Sequence, residues 1–517
     1  MPRKGIFQTE YSPTESFGSG NGGDGDGDLP VDQTSLILSP RDALQSACLA
    51  ETPASSMAQI SSGHEGHLDN MLSSDAFELM RDPLMDALFA ATDLSFAYAT
   101  GSTPAIGSDD KQAVLFHCKV FAPLKSTRNW SCSAHTLFFK KVHNRDMAFR
   151  FLLAVSHNER AIHYGQGTQP PQKSREHFER GSQLFFRTRN TFAFPDHVSM
   201  MLSFLYMYMF WMRQDHLEPR KLEALSRAVL SHTRTYGLDR LCASDDVLSF
   251  DEDAGNGVIT VSEQVLLARI IVYLYDRDGF CCFFGCGGYF ADHMNRISQE
   301  RQRIWLRSRT PFFLPLSNVG CTNGAESEID DAATLDVYFE LIVLHQEVNF
   351  YSHTSATHAM DMRPKLQRRF DAIRKDHVSL LHKVADQTCH SQCTLMAYVT
   401  ASFFYALQIY LYRARLSPFG TRPIPPDFQD TLNSLISAAY HATKTGPVQL
   451  LERFQWSLFM AGLETTDLIH QEWFRTNMSD PAIKKGFDHV QAIKRQSPGS
   501  ITMHMIRSLT DDGFSVS

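Results

Sequence analysis

Cysteine and histidine side chains are the groups in this sequence best suited to bind a metal, and they cluster in two segments. Residues 281–286 (CCFFGC) hold three cysteines, and residues 389–393 (CHSQC) hold two cysteines and a histidine. A structural zinc ion needs four ligands, which usually come as paired C-x2-4-C knuckles. Neither segment supplies such a pair of knuckles, so we expect buried thiols and no metal at either place.

Other catalytic motifs are absent from the sequence. The glycines of 279–290 (GFCCFFGCGGYF) suggest a phosphate loop, but the segment lacks the lysine and hydroxyl of GxxxxGK[ST] and the setting of GxGxxG. His353 and His358 are five residues apart, and no H-E-x-x-H, G-x-S-x-G or kinase signature occurs. A dispersed Ser/His/Asp set stays open, because triad members need not be neighbours in sequence. We therefore predict no enzymatic activity and no cofactor.

Two arginine-rich segments, 295–309 (NRISQERQRIWLRSR) and 365–375 (KLQRRFDAIRK), are candidates for contact with phosphates or with an importin. Acidic residues lie within or just after each segment, so solvated helix faces are the preferred interpretation. The formal net charge of the chain is -8. Direct DNA binding is therefore not expected unless a local basic module supplies it.

The composition and the two longest apolar runs indicate an intracellular protein without a membrane partner. The chain has 10 cysteines and no secretory pattern at its start, which is typical of a reducing compartment. The apolar run 198–212 is shorter than the roughly 20 residues that a bilayer core requires. The run 393–412 carries polar side chains at steps of three and four, which form a stripe along one side. Both runs are predicted to be core helices.

Changes in composition divide the chain into four parts. Residues 1–65 are rich in glycine and aspartate and are predicted to be disordered. Residues 66–112 mix acidic and apolar side chains and are predicted to be partly helical; a surface helix is preferred over an activation segment. Residues 113–494 show helical periodicity, and 495–517 are predicted to be a flexible tail.

The predicted fold class is therefore all-α, a large helical bundle or array with a disordered acidic N-terminal segment. Proline and glycine separate the predicted helices. These helices cover 133–162, 174–190, 197–213, 218–236, 261–278, 290–308, 331–354, 362–386, 391–415, 428–443 and 447–475.

Residues 454–474 (FQWSLFMAGLETTDLIHQEWF) combine two of the five tryptophans with a small-residue pair. Gly462 costs a helix about 1 kcal/mol relative to alanine, and this cost is usually accepted where another helix packs closely. Residues 465–467 are suited to cap a second helical segment. One face of the first segment is predicted to hold Trp456, Phe459, Met460 and Leu463. The apolar side of the second is predicted to hold Leu468, Ile469, Trp473 and Phe474.

The same stretch resembles the C-terminal part of the fungal-specific transcription factor domain, the helical regulatory half of zinc-cluster transcription factors. The matching residues are Trp456, Leu458, Phe459, Ala461, Gly462, Glu464, Asp467 and Trp473. Weaker similarities follow in the expected order, with His177 and Gly181 as departures from the pattern. They lie at 115–124, 147–161, 175–185, 200–209, 267–290 and 407–419. The resemblance covers about 113–480.

The sequence departs from this family in lacking its N-terminal binuclear zinc cluster. The first cysteine is Cys48, the next is Cys118, and the segment before them is acidic. No zinc ligand or base-contacting residue can therefore be assigned by resemblance. The resemblance implies a nuclear regulator of a fungal metabolic gene set, with secondary-metabolite clusters as one example. We expect it to reach DNA through a DNA-binding or co-regulator partner, or through an exon outside this chain.

A second interpretation is a small-molecule-sensing or protein-interaction module without a direct transcriptional role. Helical bundles with aromatic interiors can bind small apolar ligands. The predicted lining of such a pocket is Phe204, Tyr208, Trp211, Phe403, Phe404 and Trp456. Ordinary core packing explains each of these residues equally well.

Overall fold

Helices form all the regular elements that the computed structural model describes, and no strand occurs among those residues. The described residues are 107–126, 133–143, 145–167, 169–189, 196–244, 259–310, 325–354, 356–386, 394–415, 417–419, 425–497 and 501–511. The prediction of an all-α fold is confirmed.

The first ten helices in chain order are α1 Ser108–Phe116, α2 Ala122–Leu124, α3 Ala134–Val142, α4 Asp146–His163, α5 Gln172–Arg189, α6 His197–Met212, α7 Pro219–Thr235, α8 Leu238–Ala243, α9 Val261–Phe283 and α10 Tyr289–Arg296. A π-helical turn, His117–Phe121, joins α1 to α2. The next ten are α11 Ser298–Ser308, α12 Ala325–His353, α13 Ala356–Asp376, α14 Val378–Ala385, α15 Leu395–Arg413, α16 Pro426–Thr445, α17 Glu452–Glu464, α18 Leu468–Asn477, α19 Pro481–Gln496 and α20 Met503–Asp511.

Side-chain caps begin several of these helices where the sequence places a short polar residue. Helix α9 opens with a capping box, in which the Thr260 hydroxyl and the Glu263 carboxylate each accept from the other residue's backbone N–H at 3.2 Å. At α18, the Asp467 carboxylate accepts from the backbone N–H of Ile469 at 2.8 Å. Such a cap stabilises a helix by about 1 kcal/mol. The cap predicted within 465–467 is therefore confirmed.

Four of the predicted helices are each divided into two by residues with non-helical backbone torsions. The prediction 290–308 breaks at Ile297 (φ -96°, ψ 61°), and 362–386 breaks at His377 (φ -117°, ψ 29°). The predictions 133–162 and 447–475 divide in the same way, into α3 and α4 and into α17 and α18. The breaks at 143–145 (HNR) and 465–467 (TTD) are short and polar, and apolar spacing resumes soon after them. Periodicity alone therefore merges the two helices.

The segment that was assigned to a flexible tail contains helix α20. Ile501, Met503 and Ile506 are buried, and the backbone N–H of Phe419 donates to the carbonyl of Ile501 at 2.8 Å. The Arg507 guanidinium also donates to the Tyr410 hydroxyl at 3.0 Å. The apolar side chains at 501, 503 and 506 thus pack this segment against the core. In the sequence, only their short amphipathic spacing indicates this helix.

At the other end, α1 occupies the last residues of the segment 66–112 and the start of the predicted helical region. Ala113, Val114 and Phe116 of this helix are buried. The prediction for 1–65 and most of that for 66–112 lie outside the described residues.

Helices α6, α9, α15 and α17 are rich in buried apolar residues. Every residue from Val198 to Met212 in α6 is buried. Helix α9 packs against α6, α11 and α12, and α15 packs against α12, α16 and α17. Within the described residues, α15 is the one helix long and apolar enough to cross a membrane, but 83% of its apolar window is buried inside the protein. The prediction that both apolar runs are core helices is confirmed.

Glycines allow a tight turn after α9 and a close helix contact at α17. Gly285 and Gly288 have φ angles of 82° and 90°, in the left-handed region that favours glycine. A Cβ atom on Gly462 would lie 2.6 Å from Cε2 of Phe487, so α17 and α19 approach closely there. Both glycine interpretations made from the sequence are confirmed.

Candidate functional site

Helix α17 places the first tryptophan of the 454–474 stretch at the centre of an aromatic cluster. The side chain of Trp456 is fully buried. Ring centroids surround it at 4.8 Å for His345, 5.4 Å for Phe283, 5.6 Å for Phe403 and 5.9 Å for Tyr410. We call these five residues the Trp456 cluster. The cluster connects α9, α12, α15 and α17. A displacement of any of these four helices would therefore alter the packing of the same rings.

Two N–H donors of the Trp456 cluster have no hydrogen-bond partner among the described residues. They are Nε1 of Trp456 and Nε2 of His345. His345 Nδ1 accepts from the guanidinium of Arg453, which leaves the imidazole proton on Nε2. Burial, and secondly the positive charge of Arg453, lower the pKa of His345 well below its usual value, so the ring is neutral. The cluster therefore offers donors to a small hydrogen-bond acceptor, and it offers no nucleophile.

A buried ionic network lies beside the cluster. Arg453 donates through Nε to Asp276 Oδ1 and through NH2 to the Asp276 carbonyl, both at 2.7 Å. Its guanidinium also lies 5.1 Å from the ring centroid of Phe403. The neighbouring Glu452 accepts from Arg277 at 3.0 Å and from Lys125. Burial lowers the pKa of Lys125 well below its usual value. Charges held this deep lose their hydration, so their position depends strongly on their partners.

Two further buried ion pairs connect helices that are distant in sequence. Arg213 binds both carboxylate oxygens of Glu159, at 2.7 and 3.1 Å, and also binds Asp480 at 2.9 Å. Arg413 binds both oxygens of Glu464, at 2.9 and 2.5 Å. Arg413 ends α15 and Glu464 ends α17, so this pair links two of the segments that carry the family resemblance. A bidentate geometry of this kind fixes the orientation of both side chains.

The six residues of the predicted pocket contact different neighbours. Phe403 and Trp456 meet in the Trp456 cluster, whereas Phe404 lies beside Phe370 with ring centroids 5.9 Å apart. All six are buried.

The other three predicted lining residues lie together on α6. Phe204 packs against Phe185, with ring centroids 5.3 Å apart, and Trp211 lies 5.5 Å from Phe178. The hydroxyl of Tyr208 donates to Asp278 at 2.9 Å. Sequence reasoning missed His345 and Arg453, although a histidine and an arginine inside strongly apolar helical runs were a usable signal.

A groove opens between α18 and α19, with a volume of about 600 Å³. Leu468 lines it, and Leu468 and Ile469 are 74% and 79% exposed. Arg475 crosses the groove to Asp488 at 2.7 Å. These two are the most exposed large apolar side chains in the part of the chain that the structure describes.

The arginine-rich segments supply intramolecular contacts. Arg301 donates to the Asn295 side chain at 2.9 Å, Arg309 pairs with Asp336, and Arg369 pairs with Glu347. These three guanidinium groups are therefore engaged within the fold. Lys365, Arg368, Arg374 and Lys375 are exposed, as the interpretation of a solvated helix face expects.

The thiols of 281–286 lie at the end of α9 and in the turn that follows. Burial raises the pKa of Cys282 to about 12 and raises that of Cys281 well above its usual value. Both thiols are therefore protonated at neutral pH, and a protonated thiol is a poor nucleophile. Residues 389–393 lie outside the described residues.

Comparison with known families gives a match that covers this part of the fold. Residues 292–495 match the family model described as the fungal specific transcription factor domain. The matched range runs from α10 to α19 and contains Trp456, His345 and the Arg413–Glu464 pair. We find no significant match to the chain among curated proteins or among solved structures. The resemblance stated from the sequence is confirmed over this range. The match supports a role in transcription regulation in general, and it favours a regulator over an enzyme.

Proposed function

We propose that this chain is a nuclear transcription regulator of a fungal metabolic gene set that reaches DNA through a DNA-binding or co-regulator partner. The observation that carries the proposal is the family match over 292–495. The formal net charge of -8 supports the need for a partner, because it does not attract the chain to a phosphate backbone. Secondary-metabolite genes are one example of such a gene set.

The regulatory element in this proposal is the Trp456 cluster together with the ionic network at Arg453. A ligand or partner shifts a protein between two conformations by the difference in its affinity for them. Arg453 contacts Asp276, His345 and Phe403 at the same time. Few side-chain conformations of this arginine satisfy all three contacts. A change that moves α17 must therefore re-form these contacts together, which favours two discrete arrangements over a gradual one.

The partner contact in this proposal lies on α18 and α19. Leu468 and Ile469 are the most exposed of the large apolar side chains in the described residues. Leu468 lines the groove between the two helices, and Phe487 is its other apolar lining residue. An apolar side chain of the partner would be shielded from water there. Both helices pack against α17, so binding at this surface is mechanically connected to the Trp456 cluster.

The test is chromatin immunoprecipitation with sequencing on the tagged chain in its own cells. We expect discrete peaks at promoters, and we expect a Leu468→Ser/Ile469→Ser double variant to lose most of them. Matched expression and nuclear localisation of both proteins must be verified, and an Asp488→Asn variant on the groove wall serves as a control for surface charge. A nuclear-excluded chain, or a verified nuclear chain without peaks, would contradict the proposal.

A second candidate function is a small-molecule-sensing module that has no direct transcriptional role. The neutral imidazole of His345 and the indole of Trp456 favour it, because each places an N–H donor among apolar rings. The test is mass spectrometry of small molecules released by denaturing the chain purified from its own cells. We expect a co-purifying compound to be lost from the Trp456→Phe variant. This substitution keeps an aromatic ring at the position and removes the indole N–H donor. Equal recovery from both proteins would contradict this function.

A further inference from the structure

Three helices bring two histidines and an aspartate together at a point outside the family match. Nε2 of His157 and Nε2 of His177 each lie 3.0 Å from Oδ1 of Asp110. The three residues stand on α4, α5 and α1, and their possible ligand atoms all lie within 4.8 Å of one another. The histidines are 47 and 67 residues away from the aspartate in sequence. No short motif could have revealed this grouping.

The three side chains are held in place by their surroundings. His157 and His177 are each 7% exposed, and Asp110 is 9% exposed. The two imidazole planes are inclined by only 12°, with centroids 5.6 Å apart, so both rings present the same edge to one carboxylate. On its other side, Nδ1 of His177 lies 3.4 Å from a guanidinium nitrogen of Arg150. The side chains are therefore already oriented in the folded chain.

The donor set and its spacing match a zinc-type ion. Bonds of about 2.0–2.2 Å in a tetrahedral site place neighbouring ligand atoms ~3.3 Å apart. The two distances of 3.0 Å to Asp110 differ from that spacing by a few tenths of an ångström. Two imidazoles and one carboxylate are ligands that suit divalent transition metals, and three protein ligands leave a fourth position for water. We propose that Asp110, His157 and His177 bind one divalent transition-metal ion of the zinc class.

The protonation of Asp110 and His157 is compatible with metal binding. Burial raises the pKa of Asp110, but the hydrogen bonds from His177 and His157 outweigh this effect and lower it overall. Burial lowers the pKa of His157 despite the neighbouring carboxylate. A charged carboxylate and neutral imidazoles are the forms that bind metals.

Metal binding requires a change of tautomer at the histidines. In the hydrogen-bonded arrangement Nε2 donates to Asp110, so the proton must move to Nδ1 before Nε2 can bind an ion. At His177 this proton would face Arg150. The Nε of Arg150 already donates to Asp146 at 3.1 Å, so the guanidinium can keep that contact and turn away from the imidazole.

A bound ion would fasten α1 to α4 and α5. Helix α1 is the first described helix after residues 1–106, and α4 and α5 pack against each other. The site lies outside 292–495 and shares no residue with the Trp456 cluster. This inference is thus independent of the proposed transcriptional role.

The test uses the full chain, stripped of metal by a chelator, and Zn²⁺ alone as the probe. Asp110→Asn keeps an oxygen that accepts both imidazole donors, so it preserves the hydrogen bonds while removing the charged ligand. We expect the unmodified chain to bind one more Zn²⁺ per molecule than this variant, or to bind it at least about tenfold more tightly. Asp109→Asn, the exposed neighbour, is the matched control and should bind as the unmodified chain does. Equal Zn²⁺ affinity and stoichiometry for all three proteins would overturn the proposal.

A second measurement separates a site at these residues from zinc binding by other histidines or cysteines. Co²⁺ bound in a tetrahedral site of nitrogen and oxygen ligands gives visible absorption bands that distinguish it from thiolate-bound Co²⁺. We expect these bands in the unmodified chain and in Asp109→Asn, and we expect their loss in His177→Gln. Saturating Zn²⁺ should also raise the melting temperature by about 5 °C in the same two proteins and not in His177→Gln. Bands or shifts that persist in His177→Gln would place the ion elsewhere and overturn the assignment.

Discussion

Helices α17 and α18 are neighbours in sequence and belong to the same resemblance, yet they differ in what covers them. Every residue of α17 from Arg453 to Glu464 is buried. In α18 only Phe474 is buried, and Ile469 is 79% exposed. Both helices have apolar residues at helical spacing. The difference teaches that periodicity identifies an apolar side and does not say whether another element covers it.

The prediction for α18 was therefore correct in part. Phe474 is buried and Trp473 is partly buried against the core, as expected for an apolar side. Leu468 and Ile469 were assigned to the same side, but they stand in the first turn of the helix and face the solvent and the groove.

The largest expected effect comes from the buried ion pair at the end of α17. Glu464→Gln leaves the guanidinium of Arg413 buried without a counter-charge. Removing one partner of a buried pair costs about 3–5 kcal/mol, because the other charge stays out of water. We expect the free energy of unfolding, measured by urea titration, to fall by that amount. The double variant Arg413→Met/Glu464→Leu should recover most of the loss.

The contrast between buried α17 and exposed α18 would fail if the exposed ion pair between α18 and α19 contributed as much stability as the buried pair. Arg475 and Asp488 lie 2.7 Å apart, but both side chains are more than 40% exposed. Exposed pairs contribute about 0–1 kcal/mol. We expect Asp488→Asn to change the free energy of unfolding by no more than that.

The next effect concerns the contact between α17 and α19. In Gly462→Ala the new methyl group would lie 2.6 Å from Cε2 of Phe487, which forces the ring or the helix to move. Overpacking of this kind costs about 1–3 kcal/mol, which exceeds the gain of ~1 kcal/mol in helix propensity. We expect a lower urea midpoint. Phe487→Leu in the same chain should restore part of the stability, and strict additivity of the two changes would argue against this contact.

A smaller effect is expected from the pH dependence of stability. The folded-state pKa of His345 lies below the unfolded value of about 6.5, so its contribution is complete above that pH and is lost as the pH falls. Between pH 6.5 and 5.5 one such group lowers the free energy of unfolding by about 1 kcal/mol. We expect His345→Gln to flatten the pH profile by that amount. An unchanged slope would mean that the imidazole is not buried and neutral.

Much of the fold was predictable from the sequence because the spacing of apolar residues and the capping residues indicate where helices form. The core helices α6 and α15 and the close packing at Gly462 all follow from local patterns. The Trp456 cluster and the buried pair at Arg413 do not, because their members come from helices far apart in the chain. The resemblance includes Trp456 and Glu464. Their contacts with His345 and Arg413 follow only from the way in which the helices pack in three dimensions.

The smallest expected effect on stability comes from substitutions in the exposed first turn of α18. This effect distinguishes exposed residues of α18 from buried residues of α17. Leu468→Ser/Ile469→Ser removes two large side chains that make little contact within the chain. Surface substitutions away from caps and pairs usually change stability by no more than about 0.5 kcal/mol. We expect the urea midpoint to stay nearly constant, whereas promoter occupancy falls in the immunoprecipitation experiment. A marked loss of stability would show that this turn is covered as α17 is, and it would remove the reason for placing a partner there.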